Sequence, residues 1–458
     1  MLRIFIYFTV AGLSANNFTQ NFFSQRKFQF ELNNGANWYL LSNVNYLNWV
    51  EIKNLESSNA EDSLITFYEL GLISNFFENK TFPSMYVRAH IKFKKYFYSY
   101  YFGRFIDSGL KPVGYSGVRL KRKRFIFDSG ETDMSGFGFK NNWLKLQFGR
   151  GREIIGANPD EIGLVLNNSS ANYDYFLIET EYKKYSWKFF HGFLENLNGV
   201  NRYINGRSIQ YSNRINFILS LSEIVLYSGM NRPVDYAYLN PFASHLEIEF
   251  NEKQNQNGTS SGNAIWLSSL DWLIKSNNRI SLNFLIDEFV IDQSQRDNKK
   301  KHGLAYSFRY SRAINKAPHY INLYIQYIDV AYNTFRHQDG HNNFVNRGTP
   351  LGWSNGSSCN EFAVGFNYFN SNNLFIDVAI NEKNLNENSI LYNPYEPYSD
   401  YSVDKEAVSY DISKNLSSKV NYFIKSNLSI SVDMVYPIFG NNSQLEYLFS
   451  VNFYFLKK

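Results

Sequence analysis

Arg279-Ile280-Ser281-Leu282-Asn283-Phe284-Leu285-Ile286-Asp287 alternates apolar and polar residues, with Leu285 as the single break. A period of two is the period of a β-strand, whose successive side chains point to opposite faces. The same rhythm returns along the chain. Leu304, Tyr306, Phe308 and Tyr310 stand against Ser307, Arg309 and Ser311; Leu428, Ile430, Val432, Met434 and Tyr436 against Ser429, Ser431 and Asp433; Leu445, Tyr447, Phe449, Val451, Phe453 and Phe455 against Glu446, Ser450 and Asn452. Weaker stripes cover 86–95, 213–221, 244–250, 319–329, 361–369 and 374–381.

Alternation alone fits an antiparallel sandwich as well as a barrel. Two features favour the barrel. The stripes run for most of the 458 residues without the helices or linkers that would separate several sandwiches, and Phe and Tyr crowd the strand ends as they do in interfacial girdles. Composition agrees: aromatic residues make up 18% of the chain and charged ones 19%, yet mean hydropathy is −0.38. Apolar residues pointing out and polar residues pointing in along each strand give that average. No tract of about 18 apolar residues is present, so only a closed barrel could hold the chain in a bilayer.

The expected fold is therefore all-β, a transmembrane antiparallel barrel over 63–458, with 16 to 20 strands by count and an even number by rule. Residues 371–373 read as a tight turn and 333–360 as a long loop. With the C-terminus inside, 437–444 is an outer loop and 426–427 an inner turn, a parity taken to require an extra short strand within 387–394. Residues 1–15, with Arg3 before an apolar Ile4–Leu13 and a Ser14-Ala15 exit, read as a cleavable export signal. Residues 16–62 lack clean stripes; Trp38–Leu47 and Asn59–Leu64 suit short helices, and the segment reads as a partly helical plug or cap. Residues 64–76 fit either a capped helix after Asp62-Ser63 or the first strand.

Net charge is +5, too mild to imply nucleic acid, and a lone Cys359 excludes an internal disulfide. Catalytic signatures are missing. Asp160-Glu161 and Asp287-Glu288 are adjacent pairs, which on a strand face opposite ways and cannot act on one bond. His337, Asp339 and His341 have ligand-like spacing, but a polar loop carries such residues without a metal and Gly340 loosens it, so no metal and no cofactor are assigned.

Four stretches carry a family resemblance. They are Gly149-Arg150-Gly151-Arg152-Glu153 with Leu164-Val165-Leu166 and Tyr173; Ile218–Glu223 with Tyr227-Ser228-Gly229 and Tyr238-Leu239-Asn240-Pro241; Asn283–Phe289; and Arg347-Gly348-Thr349-Pro350-Leu351-Gly352 with Gly356 and Glu361. In this order the chain resembles the capsule-assembly outer-membrane proteins typified by Wzi, as found in Bacteroidetes-type bacteria. The resemblance is strongest over 149–361 and looser from about 37 to the end; the first 60 residues and the closing Phe455-Leu456-Lys457-Lys458 depart from it. It implies about 18 strands, N-terminal helices obstructing the lumen, and a non-catalytic, lectin-like role. Such a protein holds exported capsular or extracellular polysaccharide at the surface of the outer membrane; this chain is further expected to contact lipid and lipopolysaccharide and to be a monomer. The competing reading is a porin or substrate-selective channel.

Candidate polysaccharide contacts are Arg119, Arg122, Arg150, Arg152, Glu223, Asp287 and Trp353. Arginine and carboxylate within barrel strands are expected to face the lumen, because an Arg on the lipid side costs ~2–4 kcal/mol at mid-depth. There they either line a sugar path or pair with one another, and pairing is the commoner use. Arg119-Leu120-Lys121-Arg122-Lys123-Arg124 suits an acidic polymer, or simply a solvated strand end touching lipid phosphates. Trp266, Trp272 and Trp353 fit sugar platforms or girdle positions equally well.

Overall fold

The structure is a computed structural model that describes residues 64–457, apart from 256–261, 399–409, 440–444 and shorter stretches in the connections. The expected export signal and N-terminal plug lie outside the described residues.

The strands are β1 (Leu64–Phe77), β2 (Lys80–Phe93), β3 (Phe97–Ile106), β4 (Arg119–Arg124), β5 (Phe127–Lys140), β6 (Leu144–Gly151) and β7 (Tyr173–Tyr182). They continue with β8 (Tyr185–Leu197), β9 (Val200–Ser212), β10 (Phe217–Met230), β11 (Asn263–Ile274), β12 (Asn278–Glu288), β13 (Gly303–Lys316) and β14 (His319–Val330). The small β15 (Val345–Asn346) and β16 (Thr349–Pro350) precede β17 (Cys359–Asn370), β18 (Leu374–Asn386), β19 (Tyr410–Lys425), β20 (Leu428–Phe439) and β21 (Glu446–Lys457). Each wall strand pairs antiparallel with its neighbours, and β1 closes on β21 with Tyr68 opposite Lys457 and Phe76 opposite Phe449. Leaving aside β4, which folds back on β5, the nineteen-stranded sheet is a closed barrel of 18 strands.

Both ends of the described chain lie at one rim. There the strands are joined by links of two to four residues, such as 183–184 and 371–373. Every long connection lies at the other rim: 107–126, 152–172, 231–262, 289–302, 331–358 and 387–409. The parity closes without an additional strand. Residues 387–398 form turns, and 387–409 belongs to the long-loop rim, so the strand expected within 387–394 is not formed.

Residues 64–77 are strand, not helix. The alternation sorts as read: on β12, Leu282 and Phe284 are exposed outward while Arg279, Ser281 and Asn283 are buried inward. Leu285, the break in the pattern, also points inward, where it joins an apolar core inside the barrel. That core comes from connections folded into the lumen. Ile155, Ile162 and Leu164–Leu166 of 152–172, Phe335, Phe344, Leu351 and Trp353 of 331–358, and Ile390 of 387–398 pack against Leu177, Phe190, Ile224, Leu267, Leu285, Ile328 and Leu385 of the wall. Burying each such side chain contributes about 1.5–3 kcal/mol. The obstruction among the described residues is thus made of long-rim connections.

Candidate functional site

The plug brings its tip to the long-loop rim. Val345-Asn346 and Thr349-Pro350 form a hairpin closed by Arg347-Gly348. Both turn residues have positive φ, 50° and 76°, the geometry of a two-residue hairpin turn that a glycine accommodates without strain. Four residues on, Gly352 lets two plug segments cross: a Cβ there would sit 1.9 Å from the Leu164 carbonyl oxygen. Beside it the Trp353 amide donates to Leu164 O at 3.0 Å.

The turn presents Arg347 to a row of wall carboxylates. Its Nη1 lies 2.9 Å from Glu131 Oε1 on β5, and its backbone N–H donates to Glu195 Oε1 on β8 at 3.2 Å. Tyr395 donates its hydroxyl to the same Glu195 oxygen at 2.7 Å and accepts from Gly348 N–H at 2.9 Å. Burial pushes the Tyr395 phenol up to about 12, which keeps it a donor at neutral pH. Under this group the buried Arg202 of β9 binds Glu195, donates to the carbonyls of His341 (2.6 Å) and Asn343 (2.7 Å), and lies 5.1 Å beneath the Tyr395 ring.

The row continues to Arg150, whose Nη1 is 4.0 Å from Glu131. Arg150 also meets Asp174, its register partner on β7, through two parallel bonds of 2.9 and 2.8 Å. Both sit on the outward faces of their strands, in the rows of Phe148 and Phe176, and not on the lumenal face expected for Arg150, because Tyr173, Tyr175 and Leu177 take the inward positions. The result is a strip of alternating charge, Asp174–Arg150–Glu131–Arg347–Glu195, with Tyr395 at its end and an exposed Tyr392 on the same connection. Asp174, Arg150 and Arg347 keep 53%, 25% and 32% of their side chains exposed, so the strip is open to solvent. Carboxylates that accept, guanidinium forks that donate and flat phenol faces suit the hydroxyls and rings of a sugar.

The other candidates fall in different places. Arg119 and Arg122 lie on β4, but their side chains are outside the described residues. Arg152 ties the two ends of the 152–172 connection together, reaching Asn172 Oδ1 at 3.0 Å and Ser170 O at 2.8 Å; burial pulls its guanidinium down to about 10, still charged at neutral pH. Asp287 accepts the backbone N–H of Phe335 and so pins the 331–358 connection to β12. Trp353 is buried in the plug core, away from any open platform.

Glu223 departs from the expectation that strand charges face the lumen. It shares its face of β10 with the exposed Leu219 and Leu221, and so points outward. There Arg207 lies 3.3 Å away, Trp266 Nε1 donates at 3.2 Å, and the backbone N–H of His245 donates at 3.2 Å from a connection laid over the outer wall. Alternation places the residue correctly relative to its neighbours; what it does not show is that 235–250 covers that part of the exterior. Trp272, exposed near the short-turn rim with Trp143 and Tyr185, has the girdle position.

His337, Asp339 and His341 serve the loop's own geometry. Asp339 Oδ1 accepts from the His341 N–H at 3.0 Å and lies 2.8 Å from His341 Nδ1, while His337 Nδ1 accepts from the Asp339 N–H at 3.0 Å.

Among solved structures, the chain is similar to Wzi of Escherichia coli, described as a carbohydrate-binding β-barrel and an outer-membrane protein involved in group 1 capsule assembly. The TM-score is 0.60 at 12% identity, covering 90% of this chain and 88% of that one. The likeness is one of fold. OprD of Pseudomonas aeruginosa matches with a TM-score of 0.47 at 9% identity over 86% of this chain and 96% of that one. OpdK of the same organism, solved with vanillate, matches at 0.46 and 11% over 86% and 99%. No protein-family model and no curated protein matches the sequence. The fold is thus that of an outer-membrane β-barrel.

Proposed function

We propose that the chain is a non-catalytic outer-membrane protein that holds exported capsular or extracellular polysaccharide at the cell surface. In this reading the short-turn rim faces the periplasm and the long-loop rim faces outward. The observation that carries it is the rim strip around Arg347, seated on a plug whose apolar core lines the lumen from β7 to β18. A barrel whose lumen is filled from β7 to β18 by its own outer connections, with sugar-compatible groups at the rim beside them, suits holding a polymer better than passing a solute. The fold shared with a carbohydrate-binding barrel supports the same reading.

Deleting the gene tests it. Polymer synthesis should continue while capsule moves from the cell surface to the medium, and complementation with Arg347→Ala should restore less surface capsule than wild type. Unchanged surface capsule on deletion would refute the proposal.

One observation favours a channel. Lys419 and Asp433, 3.0 Å apart on inward-facing positions of β19 and β20, keep 48% and 40% of their side chains exposed on the side of the lumen that the apolar core does not line. A channel predicts steady ion conductance in planar bilayers, whereas a holding protein predicts a nearly silent one.

A further inference from the structure

Residues 234–250 of the connection after β10 do not enter the lumen. This segment lies against the outward faces of β9, β10 and β11, where Tyr238 and Ile248 pack with Tyr203, Val225, Tyr227 and Ala264. Tyr227 and Tyr238 stack at 4.3 Å with 14° between planes, and Asn205 Nδ2 donates to Tyr238 O at 2.6 Å. Two short helices run through it, Tyr236–Leu239 capped by Asp235 and His245–Phe250 capped by Ser244, so their first amides are satisfied within the protein.

Its polarity is the reverse of an aqueous loop. Most polar and charged groups face the wall: His245 N–H on Glu223, Asp235 on Arg232, and the Arg207–Glu223 pair beneath; Glu247, 39% exposed, instead pairs with Lys253 where the segment ends. The outer side is greasy. Between Val234 and Phe250 the exposed residues are Val234, Tyr236, Asn240, Phe242, Leu246 and Phe250, and Tyr236, Phe242 and Phe250 are each about 80% exposed. Immediately afterwards come the exposed Asn251, Glu252 and Lys253.

Height along the barrel explains this inversion. On β13 the outward row Leu304 to Ile314, apolar or tyrosine but for Arg312 near the short-turn rim, spans ten residue steps, roughly 25 Å along the axis at ~3.3 Å per residue and ~40° tilt, the height of a lipid-facing band. On β10 the bare apolar row ends at Leu221, and Glu223 follows six residues after the strand begins, roughly 15 Å up by the same measure. The charged pair therefore falls within the band, and the connection covers it where lipid would otherwise press. Phe242 stacks at 5.2 Å on Trp187, in the lower part of β8, which makes its apolar side continuous with the bare wall formed by Leu219, Leu221 and Ile209. Non-regular backbone at membrane depth is tolerated only when its polar groups are met inside the protein, and here the Ala237, His245 and Glu247 amides and the Tyr238 carbonyl are met by Asp235, Glu223, Ser244 and Asn205.

We infer that residues 234–250 form an intramembrane strap whose outer side, Tyr236, Phe242, Leu246 and Phe250, contacts the acyl chains of the bilayer. Asn251–Lys253 mark its exit into the headgroups. The strap replaces a lipid-facing wall that carries Arg207 and Glu223, and so keeps that charged pair out of hydrocarbon.

The test uses the full chain refolded into phosphatidylcholine vesicles, in a Cys359→Ala background, with single nitroxide labels at Phe242→Cys, Phe250→Cys and Lys253→Cys. Labels at 242 and 250 should collide with oxygen and be shielded from a water-soluble nickel chelate; the label at 253 should show the opposite. Nickel access at 242 and 250 equal to that at 253 overturns the inference in favour of an aqueous loop. Shielding of both from oxygen and nickel overturns it in favour of a second copy of the chain on this face. If labelled variants do not refold, Phe242→Trp gives the same decision: its added fluorescence should be quenched by bromine-labelled acyl chains and not by acrylamide, and the reverse overturns the inference.

Discussion

Asn283 on β12 and Ala157 in the lumenal connection bind each other through a complete amide pair: Asn283 Oδ1 accepts the Ala157 N–H at 2.7 Å, and Asn283 Nδ2 returns a hydrogen bond to the Ala157 carbonyl at 2.9 Å. The same Nδ2 reaches Ile162 O at 3.3 Å, an oxygen that Ser307 Oγ also meets at 2.8 Å from β13. Two adjacent wall strands thus hold the 152–172 connection by its backbone, and the apolar residues Ile162 and Leu164–Leu166 follow into the core.

Asn283→Ala should therefore loosen the plug without unseating the wall. The substitution strands the buried Ala157 N–H and carbonyl, each costing about 1–3 kcal/mol when left unmet, while Ile162 O keeps Ser307 Oγ. Limited proteolysis of the refolded protein should cut within 152–172 in the variant and not in wild type, at equal strand content by circular dichroism. Protection equal to wild type would remove Asn283 as the anchor.

Leu285 and Leu282 lie three residues apart on β12 and face opposite ways, one into the plug core and one outward at 38% exposure. Leu285→Ala should cost about 2–5 kcal/mol, because it leaves a cavity among residues that cannot all collapse. Leu282→Ala opens no cavity, since lipid refills the space, and should cost at least about 1 kcal/mol less. Guanidinium unfolding in vesicles measures both; equal losses would contradict the placement of Leu285.

The wall was legible in the sequence because its physics is local: lipid outside and polar groups inside impose a period of two on each strand. Arg279, Ser281, Leu282 and Phe284 read directly onto their faces. The plug was not legible, because its contacts join residues far apart in sequence, as Asn283 joins Ala157, and its signals are exceptions to the rhythm. Leu285 breaks the alternation because it faces apolar plug, and Leu164-Val165-Leu166 is an apolar run in what otherwise reads as a polar connection. Within the rim strip Arg150 was singled out as a candidate. Glu131, Asp174, Glu195 and Tyr395 were missed, since single carboxylates at strand ends have no local signature. The available clue was Arg347-Gly348, a turn pair that fixes where its arginine points. Glu223 reads as lumenal because nothing near it in the sequence shows that 235–250 returns along the outside.

His337 should make the 331–358 connection sensitive to pH. Burial holds its imidazole below the ordinary value of 6.5, against the opposing pull of Asp339. The folded protein therefore binds fewer protons at this site than the unfolded chain just below pH 6.5, and stability falls as pH drops through that window and is regained above it. The geometry agrees, because protonating Nδ1 turns the acceptor of the Asp339 N–H into a donor. Amide exchange in 335–345 should speed up between pH 7.5 and 5.5, and His337→Gln should flatten the dependence. A profile unchanged by that substitution would assign the effect elsewhere.

Arg347→Ala removes the charge-assisted contact at the centre of the rim strip, and a lost bond of that class is worth about 1.5–3 kcal/mol. Affinity for purified capsular polymer should fall at least about tenfold. Tyr395→Phe keeps the ring over Arg202 but drops the hydroxyl that joins Glu195 to Gly348, and should weaken binding by a smaller factor. Surface plasmon resonance on the purified protein gives both numbers. Wild-type affinity in both variants would move the binding surface off this strip.

The last expectation separates the two functional readings most directly. The apolar core inside the barrel depends on 152–172, which supplies Ile155, Ile162 and Leu164–Leu166 and meets 331–358 through Gly352 and Trp353. Replacing 154–166 with a short Gly-Ser link leaves β6 and β7 intact at 144–151 and 173–182 and removes that supply. If the plug closes the lumen, the wild-type protein in planar bilayers should conduct little and the shortened protein should open stable, ohmic steps, because an 18-stranded wall without contents encloses an aqueous pore. Steady conductance of wild type, unchanged by the replacement, would mean that current runs past Lys419 and Asp433 along the unlined sector, and the channel reading would then prevail.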